Sequence, residues 1–213
     1  MLFIVKNTTL PNLLDLLFPH SCRGCGLTGE VLCECCKNNI IKNRKDFKRP
    51  NMYVVSRRNG LLDELIQDYK YQSIRALARP LAELLSQVLP NNLPKNSIIV
   101  PLPTATHHIR SRGFDHTYLL AKKLGKIRGF KVEKILIRNK NTVQVGADKK
   151  ARLTQAKEAY TINPKVKISP KTTYILLDDV WTTGASITAA KKLLQKAGAK
   201  NIKIALLAYS SLS

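Results

Sequence analysis

The sequence predicts an α/β fold in which a mostly parallel sheet is flanked by helices and preceded by a small N-terminal cysteine module. Two observations predict the sheet: short apolar runs alternate with segments of helical spacing, and one such run ends in two acids and a glycine-containing turn. Two Cys-x2-Cys pairs predict the module. We therefore expect a cysteine-rich unit with a basic connector over residues 1–50, and an α/β domain over residues 51–213.

The composition argues against a membrane protein. Hydrophobic residues make up 44% of the 213 residues, which is enough to bury a core. No run approaches the roughly 18–20 apolar residues that a membrane span needs, and no basic region precedes the first apolar residues as in a signal peptide. We expect a cytoplasmic protein whose thiols stay reduced.

The chain carries a large positive charge, with 36 Lys and Arg against 14 Asp and Glu and a formal net charge of +22. The excess is uneven, since five lysines and no acid follow Asp179. Two interpretations stay open: a solvated, lysine-rich surface, or a polyanionic partner, of which nucleic acid is the first candidate.

The first half of the chain predicts three helices and a strand. A short amphipathic helix is expected over Leu10–Phe18, and the basic, polar stretch 37–50 is expected to be a connector. Tyr53–Val55 predicts a strand, and helical spacing predicts helices over Leu61–Tyr69 and Ile74–Leu89. The prolines and asparagines that follow end the last of these helices.

The second half predicts five strands, two helices and one long irregular segment. Short apolar runs predict the strands at Ile98–Val100, Lys131–Ile137, Tyr160–Ile162, Tyr174–Leu177 and Ile202–Leu207. Helices are expected over Asp115–Arg128 and Ile187–Ala197. The polar, basic segment Asn139–Lys157 is long for a structureless loop, which favours a functional role.

The two cysteine pairs predict a structural zinc site. Cys22 and Cys25 form the first pair, and Cys33 and Cys36 form the second. Four thiolates complete a tetrahedral zinc shell and leave no open position for chemistry. Cys35 and His20 remain alternative ligands.

The segment 173–186 predicts an anion site beside two carboxylates. A buried strand leads into Asp178 and Asp179, then into Thr182, Thr183, Gly184, Ala185 and Ser186, and then into a helix. Exposed N–H groups and the helix dipole attract an anion at such a turn, and ligands bind at the carboxyl ends of strands in α/β sheets. A ligand with a phosphate and a diol fits this combination. The alternative is a buried strand whose acids cap the next helix.

A second basic turn follows the strand at Ile98–Val100. Arg110 and Arg112 precede Gly113, which allows close backbone approach, and a helix begins directly afterwards. Guanidinium groups suit phosphate oxygens, although two arginines near a helix start also occur on ordinary surfaces.

The segment 173–186 resembles the signature of type I phosphoribosyltransferases, which bind phosphoribosyl pyrophosphate (PRPP). The resemblance implies that Asp178 and Asp179 hold the ribose hydroxyls. It also implies that residues 182–186 surround the 5′-phosphate and that the turn with Arg110 and Arg112 binds pyrophosphate.

The chain as a whole resembles the ComF family, which joins a small cysteine module to a phosphoribosyltransferase-like domain. The similarity lies in Leu16–Pro19 with the first cysteine pair, in Asp68–Tyr71, in Arg112-Gly113-Phe114, and in a set of residues before the signature: Arg138, Thr142, Gln144, Arg152, Ala159 and Tyr160. Asp115-His116 departs from the Asn-Gln that is usual in the family, and the extra Cys35 is another departure.

The family resemblance implies a factor in natural competence that handles single-stranded DNA and carries a PRPP-type pocket, with other DNA-uptake proteins as possible partners. Candidate DNA contacts are the basic residues of the connector and of the polar segment: Arg44, Lys45, Lys48, Arg49, Lys140, Lys149, Lys150 and Arg152. The alternative is an active phosphoribosyltransferase that uses PRPP and Mg²⁺ on an unidentified acceptor, with Asp178 and Asp179 as catalytic residues.

Overall fold

The computed structural model describes residues 20–44, 49–58, 60–139 and 159–210. Its main sheet consists of β1 (Met52–Arg57), β2 (Ile98–Pro101), β3 (Lys131–Val132), β6 (Thr173–Trp181) and β7 (Asn201–Tyr209). These five strands are parallel and lie in the order β1-β7-β6-β2-β3. The predicted α/β class with a mostly parallel sheet is therefore confirmed.

Six α-helices connect or precede these strands in the described part of the chain: α1 (Glu34–Lys42), α2 (Gly60–Tyr71), α3 (Ala78–Val88), α4 (Thr106–Arg112), α5 (His116–Arg128) and α6 (Ala185–Lys196). A short 3-10 helix, Arg75–Leu77, leads into α3. No described helix is long and apolar enough to cross a membrane.

The two faces of the sheet bury different helices because successive side chains of a strand point to opposite faces. In β6, Ile175 and Leu177 join the core that contains α2, α3 and α5. Tyr174 and Leu176 join the core that contains α6. The same alternation continues into Asp178 and Asp179 at the carboxyl end of β6, so these neighbouring acids are directed toward different sets of elements.

A second, two-stranded antiparallel sheet lies outside the main sheet. It pairs β4 (Leu136–Arg138) with β5 (Tyr160–Ile162), and Leu136 and Tyr160 pack in the same core as α6. The prediction of one strand over Lys131–Ile137 was wrong, because β3 pairs with β2 only as far as Val132. The chain then leaves the main sheet. The alternation of apolar and polar residues that predicted one strand is therefore divided between β3 in the main sheet and β4 in the second sheet.

Two stretches predicted without regular structure contain helices. Helix α1 extends into the expected connector 37–50 as far as Lys42, and α4 lies within the basic turn expected after β2. Both helices are short and polar, so neither has a strong apolar period. The predicted helix over Leu10–Phe18 lies outside the described residues, as does the segment Asn139–Lys157 apart from Asn139.

The cysteine module packs directly on the α/β unit. Cys22, Leu32 and Cys33 are buried in the same core as the residues of α2 and α3. Arg23 bonds to Asp68 of α2 at 2.6 Å, and the buried Lys37 lies 2.6 Å from both Glu34 and Glu83. Burial alone would lower the pKa of Lys37, but the two carboxylates outweigh it and raise that pKa. The division at residue 50 stays a prediction.

Candidate functional site

Four cysteines of the N-terminal module form a compact thiol cluster. The sulfur atoms of Cys22, Cys25, Cys33 and Cys36 all lie within 4.8 Å of one another, and the Cys25 and Cys33 sulfurs are 3.6 Å apart. A tetrahedral zinc site with Zn–S bonds of about 2.3 Å needs sulfur separations of about 3.8 Å. The cluster therefore has the donor set and the spacing to hold a metal ion such as zinc.

The lack of a side chain at Gly24 allows the two cysteine pairs to lie close together. Gly24 lies so near the second pair that an added Cβ would be 2.8 Å from the Cys36 sulfur and 2.6 Å from Leu61. Cys35 is exposed, and neither it nor His20 is part of the four-cysteine group. The geometry thus favours the two Cys-x2-Cys pairs over both alternative ligands.

A polar cavity of about 480 Å³ lies at the carboxyl ends of β2 and β6. Asp178 and Asp179 line it together with three basic side chains from three different elements: Lys70, Arg112 and Arg138. Cavities of about 560 and 750 Å³ lie beside the cysteine module, so size alone does not select the site. We select this cavity because it joins adjacent carboxylates to converging cations at the edge where α/β sheets bind ligands.

Asp179 is held by two partners from the helices on its side of the sheet. Its Oδ2 accepts a hydrogen bond from His116 Nε2 at 2.6 Å and forms an ion pair with Lys70 Nζ at 2.7 Å. Only 5% of Asp179 is exposed. Burial would raise its pKa, but the hydrogen bond from His116 and the charge of Lys70 outweigh that effect and hold the pKa well below its usual range. Asp179 is therefore a carboxylate at neutral pH.

Asp178 lies on the other side of the strand, and its surroundings favour the protonated form of its carboxyl group. Burial and the neighbouring charge of Asp179 raise its pKa to about 8, although the Asp179 N–H and the charges of Lys70 and Arg138 act against the rise. The Asp179 N–H donates to Asp178 Oδ1 at 2.9 Å. The pair therefore combines one firmly ionised carboxylate with one that takes up a proton near neutral pH.

The turn after β6 has the backbone that the sequence predicts for an anion loop. Gly184 has a φ of 73° and is the N-cap of α6. A Cβ at Gly184 would lie 2.0 Å from the ring of Trp181, so both the left-handed conformation and the packed indole require glycine there. Thr182 and Thr183 are exposed, Ala185 begins the helix, and Ser186 lines the cavity.

The two arginines of the basic turn have different positions. Arg112 is buried, lines the cavity and places its Nη1 2.8 Å from His116 Nδ1. Arg110 is exposed and does not line the cavity. Gly113 follows Arg112 with a φ of 72° and turns the chain into α5, whose N-cap is Asp115.

The candidate DNA contacts are only partly within the described residues. Arg44 and Arg49 are exposed, and the Arg49 guanidinium lies 5.4 Å from the ring centre of Trp181, which ends β6. The other six candidates lie outside the described residues: Lys45, Lys48, Lys140, Lys149, Lys150 and Arg152.

Sequence reasoning did not assign Lys70, His116, Arg138 or Tyr160 to the site. Lys70 and His116 reach Asp179 from α2 and α5, while Arg138 and Tyr160 reach the cavity from the small sheet. The only signal in the sequence was indirect, because three of the four lie in motifs that carry the family resemblance and His116 lies where the motif departs from it.

The fold, the cavity and the thiol cluster define an α/β protein with a candidate ligand cavity at the carboxyl end of its sheet and a candidate metal site. No family model matches the chain. The chain is 28% identical to Competence protein F of Haemophilus influenzae, over 88% of this chain and 83% of that protein. It is 28% identical to Competence protein ComFC of Streptococcus pneumoniae, over 68% of this chain and 62% of that protein.

Competence protein ComFC of Bacillus subtilis is 27% identical to the chain, over 86% of this chain and 75% of that protein. All three relatives carry ComF or competence names, and the four-cysteine cluster is present in the structure. The resemblance to the ComF family that the sequence motifs predict is therefore confirmed.

Removing one cluster thiol should abolish metal binding, whereas removing the fifth cysteine should not. We expect Cys33→Ser to lose bound metal and to unfold at a lower temperature, because three thiolates and a hydroxyl bind zinc poorly. Cys35→Ser is the matched control and should keep about one metal per chain, as measured by elemental analysis of unchelated protein. Equal metal content in the two variants would contradict the assignment of the ligands.

The raised pKa of Asp178 predicts a pH-dependent stability. The folded protein binds this proton more tightly than the unfolded chain, whose aspartate pKa is about 3.9. The stabilising contribution is therefore present below about pH 4 and is lost as the pH rises toward 8. Asp178→Asn should be about 1–2 kcal/mol more stable than wild type at pH 8, with a gap that narrows toward pH 4.

Urea unfolding at several pH values measures this gap. The same substitution at Asp63, which pairs with Arg58 away from the cavity, supplies the baseline. A gap that stays constant with pH, or an Asp178→Asn protein that is less stable than wild type at pH 8, would show that the surroundings do not raise the pKa of Asp178.

Proposed function

We propose that this chain is a competence protein that handles single-stranded DNA and binds PRPP, or a closely related phosphorylated ligand, in the cavity at the carboxyl end of its sheet. The observation that carries the proposal is the combination in that cavity of two adjacent carboxylates, three converging cations and a glycine-capped helix N-terminus. PRPP presents a matching set of groups: a ribose diol, a 5′-phosphate and a pyrophosphate.

Each part of this ligand has a candidate partner. The backbone of residues 182–186 would hold the 5′-phosphate at the start of α6. Asp178 and Asp179 would face the ribose hydroxyls, Asp178 directly and Asp179 while bonded to Lys70 and His116. Arg112, which lines the cavity, is better placed than Arg110 for the pyrophosphate. Mg²⁺ fits the site because it binds through few carboxylates together with substrate phosphates.

The cysteine cluster would hold a structural zinc ion. Four thiolates fill a tetrahedral shell, so no position remains for a reactive water. The cluster shares a hydrophobic core with α2 and α3, which supports a structural rather than a catalytic role for the metal.

The charge of the chain supports the nucleic-acid part of the proposal. A net charge of +22 greatly exceeds what one small phosphorylated ligand requires. The names of the relatives place those proteins in competence, and we extend that context to this chain, including a cytoplasmic location and DNA-uptake proteins as partners. The basic connector and the basic segment Asn139–Lys157 are the proposed contacts with the phosphate backbone.

PRPP binding should depend on Asp178. Calorimetry with Mg²⁺ present at about pH 9, where the Asp178 carboxyl is ionised, should detect binding to the wild-type protein and a loss of affinity of at least tenfold in Asp178→Asn, which removes the charge that faces the diol. Asp63→Asn serves as a control with the same change outside the cavity. No binding at millimolar PRPP, or equal affinities for wild type and Asp178→Asn, would overturn this part of the proposal.

Binding to single-stranded DNA should fall steeply with salt. Lysine and arginine contacts to phosphates release counterions, so the logarithm of the affinity should fall linearly with the logarithm of the salt concentration. The double substitution Lys149→Glu, Lys150→Glu should weaken binding more than the control Lys122→Glu, Lys123→Glu, which alters an equal charge on α5. A gel-shift series with a fluorescent oligonucleotide measures both effects. Absent or salt-insensitive binding would exclude this mode of DNA contact.

An active phosphoribosyltransferase is the second candidate function. The adjacent carboxylates favour it, because negative charge near the ribose would stabilise the positive charge that develops there as the bond from C1 to pyrophosphate breaks. The acceptor would form the new bond to C1, and the pyrophosphate would leave with Mg²⁺.

Pyrophosphate release from PRPP tests this second function across candidate bases and amines. We expect an active protein to lose release when both Asp178→Asn and Asp179→Asn are present. The absence of release with every acceptor, together with normal PRPP binding, would favour a binding protein over an enzyme.

A further inference from the structure

The last described part of the chain separates its positive and negative charges in space. Residues 159–210 contain eight lysines and only two acids, Asp178 and Asp179. Both acids line the ligand cavity at the carboxyl end of the sheet. The lysines lie before β6, along α6 and at the start of β7: Lys165, Lys167, Lys171, Lys191, Lys192, Lys196, Lys200 and Lys203. No acidic side chain of this segment therefore lies among them.

Three of these lysines surround a small polar pocket of about 170 Å³. Lys191 lies in α6, Lys200 directly precedes β7, and Lys203 lies within β7. The other described lining residues are three with carboxamide side chains and one apolar residue: Asn51, Gln195, Asn201 and Ile202. Ammonium groups and amide N–H groups both donate hydrogen bonds to phosphate oxygens. The described lining thus combines positive charge with donors and contains no acid.

The known reasons for a lysine cluster do not account for this pocket. None of its three lysines forms an ion pair in the part of the chain that the structure describes. Lys203 donates to the side-chain oxygen of Asn51, which is uncharged and leaves the positive charge uncompensated. A helix dipole attracts cations to the last turn, but that turn of α6 contains only Lys196. The three charges are therefore available to an external anion.

The pocket lies at the opposite end of the sheet from the ligand cavity. Strand β7 pairs with β6 so that Asn201 is opposite Thr173 and Lys203 is opposite Ile175, at the start of β6. Asp178 comes five residues after Thr173, which corresponds to about 16 Å along a strand. No described residue lines both the pocket and the cavity. An anion in the pocket therefore leaves the cavity open.

We propose that this lysine pocket binds a phosphate of the backbone of single-stranded DNA, and that DNA bound there does not occupy the ligand cavity. The proposal rests on the proposed DNA-handling function and adds a place of contact to it. Lys192 and Lys196 are exposed on α6 and extend the positive surface beyond the pocket, as a strand with successive phosphates requires. Asn51 directly follows the basic connector, so the two basic surfaces are neighbours.

Removal of the three pocket charges should weaken DNA binding and reduce its salt dependence. We expect the triple substitution Lys191→Gln, Lys200→Gln, Lys203→Gln to lower the affinity for a fluorescent oligonucleotide at least tenfold at about 50 mM salt. Each lost contact with a single strand should reduce the slope of log affinity against log salt by about 0.7, so the slope should fall by about 2. Fluorescence anisotropy over a salt series measures both quantities.

Two further variants separate direct contact from a change in overall charge. The triple substitution Lys122→Gln, Lys123→Gln, Lys126→Gln removes the same charge from exposed positions of α5 and should cost no more than about threefold, with an unchanged slope. Replacement of the three pocket lysines by arginine keeps the charge and should keep the affinity within about threefold. Thermal unfolding shows whether each variant is folded. Equal losses in the pocket and α5 glutamine variants would overturn the proposal.

The separation of the two sites is tested with PRPP and Mg²⁺ at constant ionic strength. The affinity of wild type for the oligonucleotide should change by less than about twofold when PRPP is added. Calorimetry should give the same PRPP affinity for wild type and for the pocket glutamine variant. Displacement of DNA from wild type by PRPP would show that the strand crosses the cavity, which contradicts the proposal.

The outcomes distinguish this proposal from the proposed function. If wild type binds the oligonucleotide in a salt-dependent way and the folded pocket glutamine variant binds it equally well, the protein binds DNA elsewhere and only the lysine pocket is wrong. If wild type does not bind the oligonucleotide, the proposed DNA-handling function is wrong and the pocket proposal falls with it.

Discussion

The buried carboxylate of Asp179 is the constraint on which the carboxyl end of the sheet depends. A carboxylate with so little exposure costs several kcal/mol unless it is paired and hydrogen-bonded. Its partners come from α2 and α5, so one charge on β6 connects both helices to the central strand. Loss of either partner would leave a charge poorly compensated in the interior. The cavity therefore keeps its shape through the same contacts that set its electrostatics.

Helix α2 connects this constraint to the cysteine module through three consecutive residues. Asp68 bonds to Arg23 of the first cysteine pair, and Tyr69 donates its hydroxyl to the His116 carbonyl at 2.7 Å. Lys70 then reaches Asp179 in the cavity. The thiol cluster and the cavity are therefore connected through contacts of the same helix.

Local patterns in the sequence were sufficient to predict the central strand, the glycine-capped turn and helix α5, because each has a strong apolar period or a specific cap. The same patterns failed over Lys131–Ile137, where pairing with β2 ends after Val132 and decides which sheet the chain joins. They also could not predict the partners of Asp179, since Lys70 and His116 are far from it along the chain. In the structure, Asp178 and Asp179 face different elements because side chains alternate along β6, and their pKa values are shifted in opposite directions.

A crystal structure of the protein with PRPP and Mg²⁺ tests the central claim most directly, namely that the carboxylate pair and the glycine-capped turn form one ligand site. The account predicts the 5′-phosphate at the backbone of residues 182–186 and the ribose hydroxyls within hydrogen-bonding distance of Asp178. The Asp179 carboxylate should still be bonded to His116. Ligand density elsewhere on the protein, or a ribose that does not contact Asp178, would contradict the account.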